Sequence, residues 1–148
     1  MENEPNNIGA RNTFGVLLVQ KHQTRAAVEQ WEAALVLNRN DGNAQSNMAW
    51  VFATAPDASL RNGTRAVELA ERALKLAGGI NPILYRTLAA AYAECGRFDD
   101  AIATAERGRE FAERESNREL ADEFVAVRDR YRQHKPMRDA SLELHEDL

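Results

Sequence analysis

Apolar and small residues along this chain fall on one side of a 3.6-residue period, and the pattern comes back. Phe14-Gly15, Leu18, Ala27, Trp31 and Ala34 recur as Met48-Ala49, Phe52, Ala66, Ala70 and Ala73, and again as Leu88-Ala89, Tyr92, Ala101, Ala105 and Gly108. The first half of the pattern repeats after 34 and then 40 positions, the second half after 39 and then 35. Five inserted residues between Pro56 and about Gly63, and one near Asn81, account for the differences, so the underlying period is 34. Each unit carries two helical periodicities separated by a turn, and a period in this range is the signature of stacked supersecondary repeats.

Punctuation between the periodic stretches predicts the boundaries. Thr24 and Thr64 are expected to cap the second helices of the first two units. Asn81-Pro82 sets a cap before a proline at a first helical position, Gly78-Gly79 ends the helix before it, and Cys95-Gly96 makes the turn inside the third unit. Pro56-Asp57 stops a helix and Asn62-Gly63 closes the inserted loop. After the third unit, Ser116 and Glu119 form a capping-box pattern ahead of the stripe Leu120, Phe124, Val127 and Tyr131, with Arg, Asp and Glu on the opposite face. Such a helix has one side for the last repeat and one for water. The predicted layout is an N-terminal tail 1–7, units 8–41, 42–81 with the inserted loop 56–63, and 82–115, a capping helix 116–134 ended by Pro136, and a flexible tail 135–148. Seven helices and no strand are expected.

Period and residue order resemble the tetratricopeptide-repeat family, whose units run Trp, Leu-Gly, Tyr, then Ala, Phe, Ala and Pro across a helix-turn-helix. Two departures stand out: Ala70 and Ala105 hold the slot of the usual second-helix aromatic, and the closing Pro is missing from all three copies. The resemblance implies an all-α, right-handed α-solenoid of three helix-turn-helix units plus a C-terminal capping helix. The runs Asn47–Asp57 and Thr87–Asp99 are similar to a subgroup found in bacterial multidomain proteins, often as C-terminal repeats of longer chains. That implies a bacterial assembly module and no particular activity.

Composition narrows the function classes. Across 148 residues, a net charge of −4 leaves no cationic surplus to neutralise phosphates, so no nucleic-acid role is expected. Arg-rich stretches beyond Arg107 are interleaved with Glu and Asp and read as a self-paired helix surface. The N-terminus has no signal-peptide pattern and no apolar run reaches spanning length, so no membrane insertion and, for the chain as given, a cytoplasmic location are expected; if the chain is a piece of a longer protein, that location is open. Cys95 is single and is expected to be a small, buried or half-buried thiol. His22, His134 and His145 are scattered and expected at the solvated surface, and Asp99-Asp100 complements the positive end of a helix. No phosphate loop, His-Glu-x-x-His stretch or other convergent reactive set is present, so neither enzyme activity, metal nor cofactor is expected.

The remaining reading is binding. Stacked helix pairs present a concave surface lined by the first helix of each unit, about 200° around from its packing face. Candidate contacts to a protein or peptide there are Asn12, Val16, Asn43, Ser46, Asn47, Trp50, Arg86 and Ala90. Asn side chains suit a peptide backbone, Arg86 a carboxylate, and Trp50 a central anchor, unless Trp50 packs between helices or under the inserted loop. Trp31 is assigned to the core. One branch of the resembled family clamps chaperone tails ending Glu-Glu-Val-Asp with Lys and Asn, then Asn, then Lys and Arg. The matching positions here are Asn12 and Val16, then Asn47, then Ile83 and Thr87, and only Asn47 agrees. Without those cations an internal or differently charged segment is the expected ligand, contacted by Asn12, Asn47, Trp50 and Arg86. The competing reading is self-association or a spacer role within a larger protein, with the chain a monomer or weak homo-oligomer in isolation.

Overall fold

The computed structural model describes residues 7–144. They form seven α-helices: α1 Ile8–Gln20, α2 Thr24–Leu37, α3 Gly42–Thr54, α4 Gly63–Leu76, α5 Pro82–Glu94, α6 Phe98–Arg114 and α7 Arg118–Arg132. Two 3₁₀ turns, Ala58–Leu60 and Ala140–Leu142, complete the elements, and no strand occurs among the described residues. Each helix packs on the next in sequence, and α3 also packs on α5.

Small residues let the backbones approach. Ala27, Ala34, Ala49, Ala66, Ala89, Ala101 and Ala105 are fully buried. At Gly15 a Cβ would run into the Trp31 indole, and at Gly108 it would strike the Phe124 ring and Tyr85. Each large ring on one helix thus fills the hollow left by a glycine on a neighbour. One core cluster gathers Trp31, Met48, Phe52 and Leu69 among others; a second gathers Tyr85, Phe124 and Tyr131. Leu74, Tyr92 and Met137 pack against both. The stripe on α7 is turned inward as expected, with Leu120, Phe124 and Tyr131 buried and Val127 half-buried against α6.

Asn81 caps α5 ahead of Pro82, and Gly78, Gly79 and Gly96 take the positive φ that their turns require. Three other caps differ from expectation. Thr24 is the first residue of α2, fully buried, and Gln23 precedes it without a side-chain cap. Asn62, not Thr64, caps α4 by accepting from Arg65 N. Asn117, not Ser116, caps α7 by accepting from Leu120 N, while Ser116 adopts a φ of 57° in the preceding turn. Asparagine is at least as good an acceptor as serine or threonine at this position.

The largest departure concerns the stretch after α7, expected to be a flexible tail from 135 onward. Residues 135–144 turn back and lie along the helices, with Leu142 only 3% exposed and Met137 and Leu144 half-buried against the core. Asn7 caps α1 through Ala10 N; the rest of the expected N-terminal tail, and His145 with the last residues, lie outside the described residues.

Candidate functional site

Alternate helices of the stack, α1, α3 and α5, contribute one wall each to a cavity of about 280 Å³. Val16 and Val19 come from α1, Ser46, Asn47, Trp50 and Val51 from α3, and Ile83, Leu84, Arg86 and Thr87 from α5. Trp31 of α2 lies at its floor. Spacings of three and four within each helix place these side chains on one face, as a 100° step requires. The fourth wall is Asp139, Ser141 and Leu142 of the returning C-terminal segment.

That segment is held by a specific set of contacts. Asp139 N donates to Thr54 O at 2.9 Å, just where α3 ends and its last carbonyls lack helical partners. The Trp50 indole Nε1 donates to Asp139 Oδ2 at 2.8 Å. The other oxygen, Oδ1, accepts from Ser141 N at 3.0 Å and Ser141 Oγ at 2.6 Å, closing the 3₁₀ turn that drives Leu142 inward. Arg138 pairs with Glu94 at 2.8 Å, and Arg61 approaches the other Glu94 oxygen at 3.3 Å, so this mostly buried carboxylate sits between two guanidiniums. His22 Nδ1 lies 3.2 Å from Glu143 O.

Burial alone would raise the Asp139 carboxyl. The hydrogen bonds from the Ser141 hydroxyl, the Trp50 indole and Ser141 N, with the nearby Arg86 charge, outweigh it and hold the group below its ordinary value. Arg86 itself lies over the Trp50 ring, 4.9 Å from its centroid, and reaches Glu123 at 3.3 Å. Its Nε is buried without a hydrogen-bond partner.

Five of the eight candidate residues are brought together in this cavity: Val16, Ser46, Asn47, Trp50 and Arg86. Three are not. Asn12 is buried, donating through Nδ2 to Asp41 at 2.7 Å and leaving its Oδ1 unpartnered, so it serves the α1–α3 junction and not the groove. Asn43 is exposed near the start of α3, outside the cavity lining. Ala90 is 0% exposed within the core, where no ligand touches it. Trp50 lines the groove and is half-buried, with Arg86 of α5 over its ring and Asp139 of the returning segment on its indole; the inserted loop is not its partner in either contact. Cys95, expected to be buried or half-buried, is exposed beside Gly63. His134 is exposed as expected, with its ring stacked on Phe98 at 4.9 Å, whereas His22 is half-buried beside Glu143.

Missed entirely were Asp139, Ser141 and Leu142, and a signal for them exists. The tetrapeptide Asp139-Ala140-Ser141-Leu142 repeats Asp57-Ala58-Ser59-Leu60 of the inserted loop. Both fold into a 3₁₀ turn in which Asp Oδ1 accepts from the Ser backbone and hydroxyl, and both bury the leucine. Asp57 is fixed from outside by Arg25 at 2.9 Å, as Asp139 is by Trp50.

Among the described residues no group of three His, Cys, Asp or Glu side chains is arranged to hold a metal ion, and no helix is long and apolar enough to cross a membrane. No family model matches the chain, and no characterised protein is similar enough in sequence to match it.

Proposed function

We propose that this chain is a tetratricopeptide-type solenoid and a non-catalytic binding module that takes a peptide segment of a protein partner along α1, α3 and α5. The observation that carries the reading is the groove itself: a partly apolar cavity with an indole, an amide and a guanidinium on its wall, along which a 3₁₀ turn of polypeptide already lies. Such a surface offers what peptide recognition uses, an aromatic anchor beside a few directed polar groups. Trp50 supplies the anchor, Asn47 faces a bound backbone, and Arg86 sets a positive charge at one edge. The 34-residue period and the pairing of helices support the solenoid. The groove suits internal segments better than carboxylate-ended tails, because Ile83 and Thr87 stand where the clamp would need cations.

A peptide library panned on the full chain tests this. Selected peptides are expected to shift the amide resonances of Val16, Asn47 and Trp50 and to lose at least about tenfold in affinity on Trp50→Ala, the penalty for removing an interface hot spot. Peptides that bind elsewhere, or are indifferent to Trp50→Ala, sink the reading. A second reading, self-association, is favoured by the apolar edge of α1, where Phe14 and Leu17 are about half exposed. Concentration-dependent mass in light scattering, abolished by Leu17→Glu, would replace the first reading with this one.

A further inference from the structure

Part of the groove is taken up by the chain itself, and the segment that lies there has properties of a ligand more than of a structural element. Resting on the peptide-groove reading above, we propose that residues 136–144 are its resident ligand. The partner it admits from outside is then a peptide bearing the same chemistry: a cation, then an aspartate, a small residue, a serine and a leucine folded into one 3₁₀ turn.

Five observations converge on this. The segment is joined to the helices mainly through side chains, and beyond the α7 terminus its one backbone bond to them among the described residues is Asp139 N to Thr54 O. Helix-to-helix packing does not run through it, so it can leave without parting any helix pair. Its recognition is complete and local, with the carboxylate on the Trp50 indole, the preceding guanidinium on Glu94 and the leucine seated in the core. The cavity left beside Leu142 shows that the segment does not fill the groove, so a segment with more bulk has room to gain contacts. Finally, the identical tetrapeptide at 57–60, which follows α3 and precedes α4, folds into the same turn and likewise buries its leucine, with its aspartate held by Arg25 in place of an indole. The copy at 139–142 instead meets the helices through Trp50, Glu94 and Thr54 O. Tethering gives it a high effective concentration, so an outside peptide binds only to the fraction of molecules whose segment has lifted.

The test uses the full-length chain and a synthetic peptide of sequence Met-Arg-Asp-Ala-Ser-Leu-Glu-Leu, matching 137–144. Leu142→Asp releases the resident segment by removing its buried anchor, and Asp139→Ala, which changes no helix residue, serves as the second and milder release. Binding is followed by the Trp50 indole and Asn47 amide resonances. Either variant is expected to bind the peptide at least about tenfold more tightly than the unaltered chain, since lifting the segment raises the competent fraction. A peptide with alanine in place of its aspartate and leucine is expected to lose that binding. Equal affinity for the unaltered and released chains, or no binding to either released chain, overturns the proposal. If library-selected peptides still occupy the groove of the released variants while the matching peptide does not, the groove reading stands and the resident-ligand proposal falls. If neither binds, both fall.

Discussion

At Gly15 the α1 backbone lies against the Trp31 indole with no room for a side-chain carbon. Gly15→Ala is therefore expected to destabilise the chain by about 1–3 kcal/mol, the usual cost of overpacking, even though alanine is the better helix former. Chemical unfolding of the two proteins measures it, and a neutral or stabilising substitution would show that the indole moves aside. Trp31 was legible in the sequence because the repeat assigns its slot. Asn12 and Ala90 were not. The partner of Asn12, Asp41, is 29 residues away, and helical spacing gives the face on which Ala90 lies but not what covers it. Asp139 belongs to the same scale. Its carboxyl is held below the ordinary value while docked, so its contribution to docking is present above that ordinary value and is lost as the pH falls through the docked one. The Trp50 indole resonance is expected to leave its docked position only in that acidic range; movement near neutral pH would contradict the assignment of the shift to Asp139.

Helices and their ends were the most readable level, and the reason is physical. Seven periodicities of 13 to 17 residues each bury a small-residue or apolar stripe, and that requirement fixes where a helix lies whatever its termini do. The termini depend on single hydrogen bonds, and where an asparagine and a threonine or serine stand within two residues, sequence alone does not say which side chain turns inward. Hence Asn62 and Asn117 took the caps expected of Thr64 and Ser116. The α7 stripe shows the stronger signal at work: Phe124 is almost wholly buried, and its ring occupies the space over Gly108. Phe124→Ala is expected to cost about 3–5 kcal/mol, with a clear drop in melting temperature. An unchanged melt would mean that α7 does not close the stack. Around it, Glu106 is gripped by Arg128 at 2.6 Å and Arg109 at 3.0 Å, so the Arg-rich face expected to pair with itself does so across α6 and α7.

Over the whole molecule, the sequence revealed a repeating stack with one amphipathic closing helix, but not its occupant. The final stretch lacks periodicity and is rich in charge, features that ordinarily accompany a free terminus. What ties it down is a handful of complementary groups, Thr54 O, Trp50 and Glu94, spread over α3 and α5 and invisible to any local pattern. Only the repeated Asp-Ala-Ser-Leu hinted at it, since the same four residues already make a docked turn in the inserted loop. The central claim is that the groove of α1, α3 and α5 is a polypeptide-binding surface seated, at rest, on the chain's own C-terminal segment. Amide hydrogen exchange on the full-length chain tests it most directly. The Asp139 and Leu142 amides, bonded to Thr54 O and Asp139 O, are expected to exchange far more slowly than an unstructured chain, and to lose that protection together on Leu142→Asp while α1 to α6 keep theirs. Exchange of both amides at the unstructured rate in the unaltered protein would contradict the account.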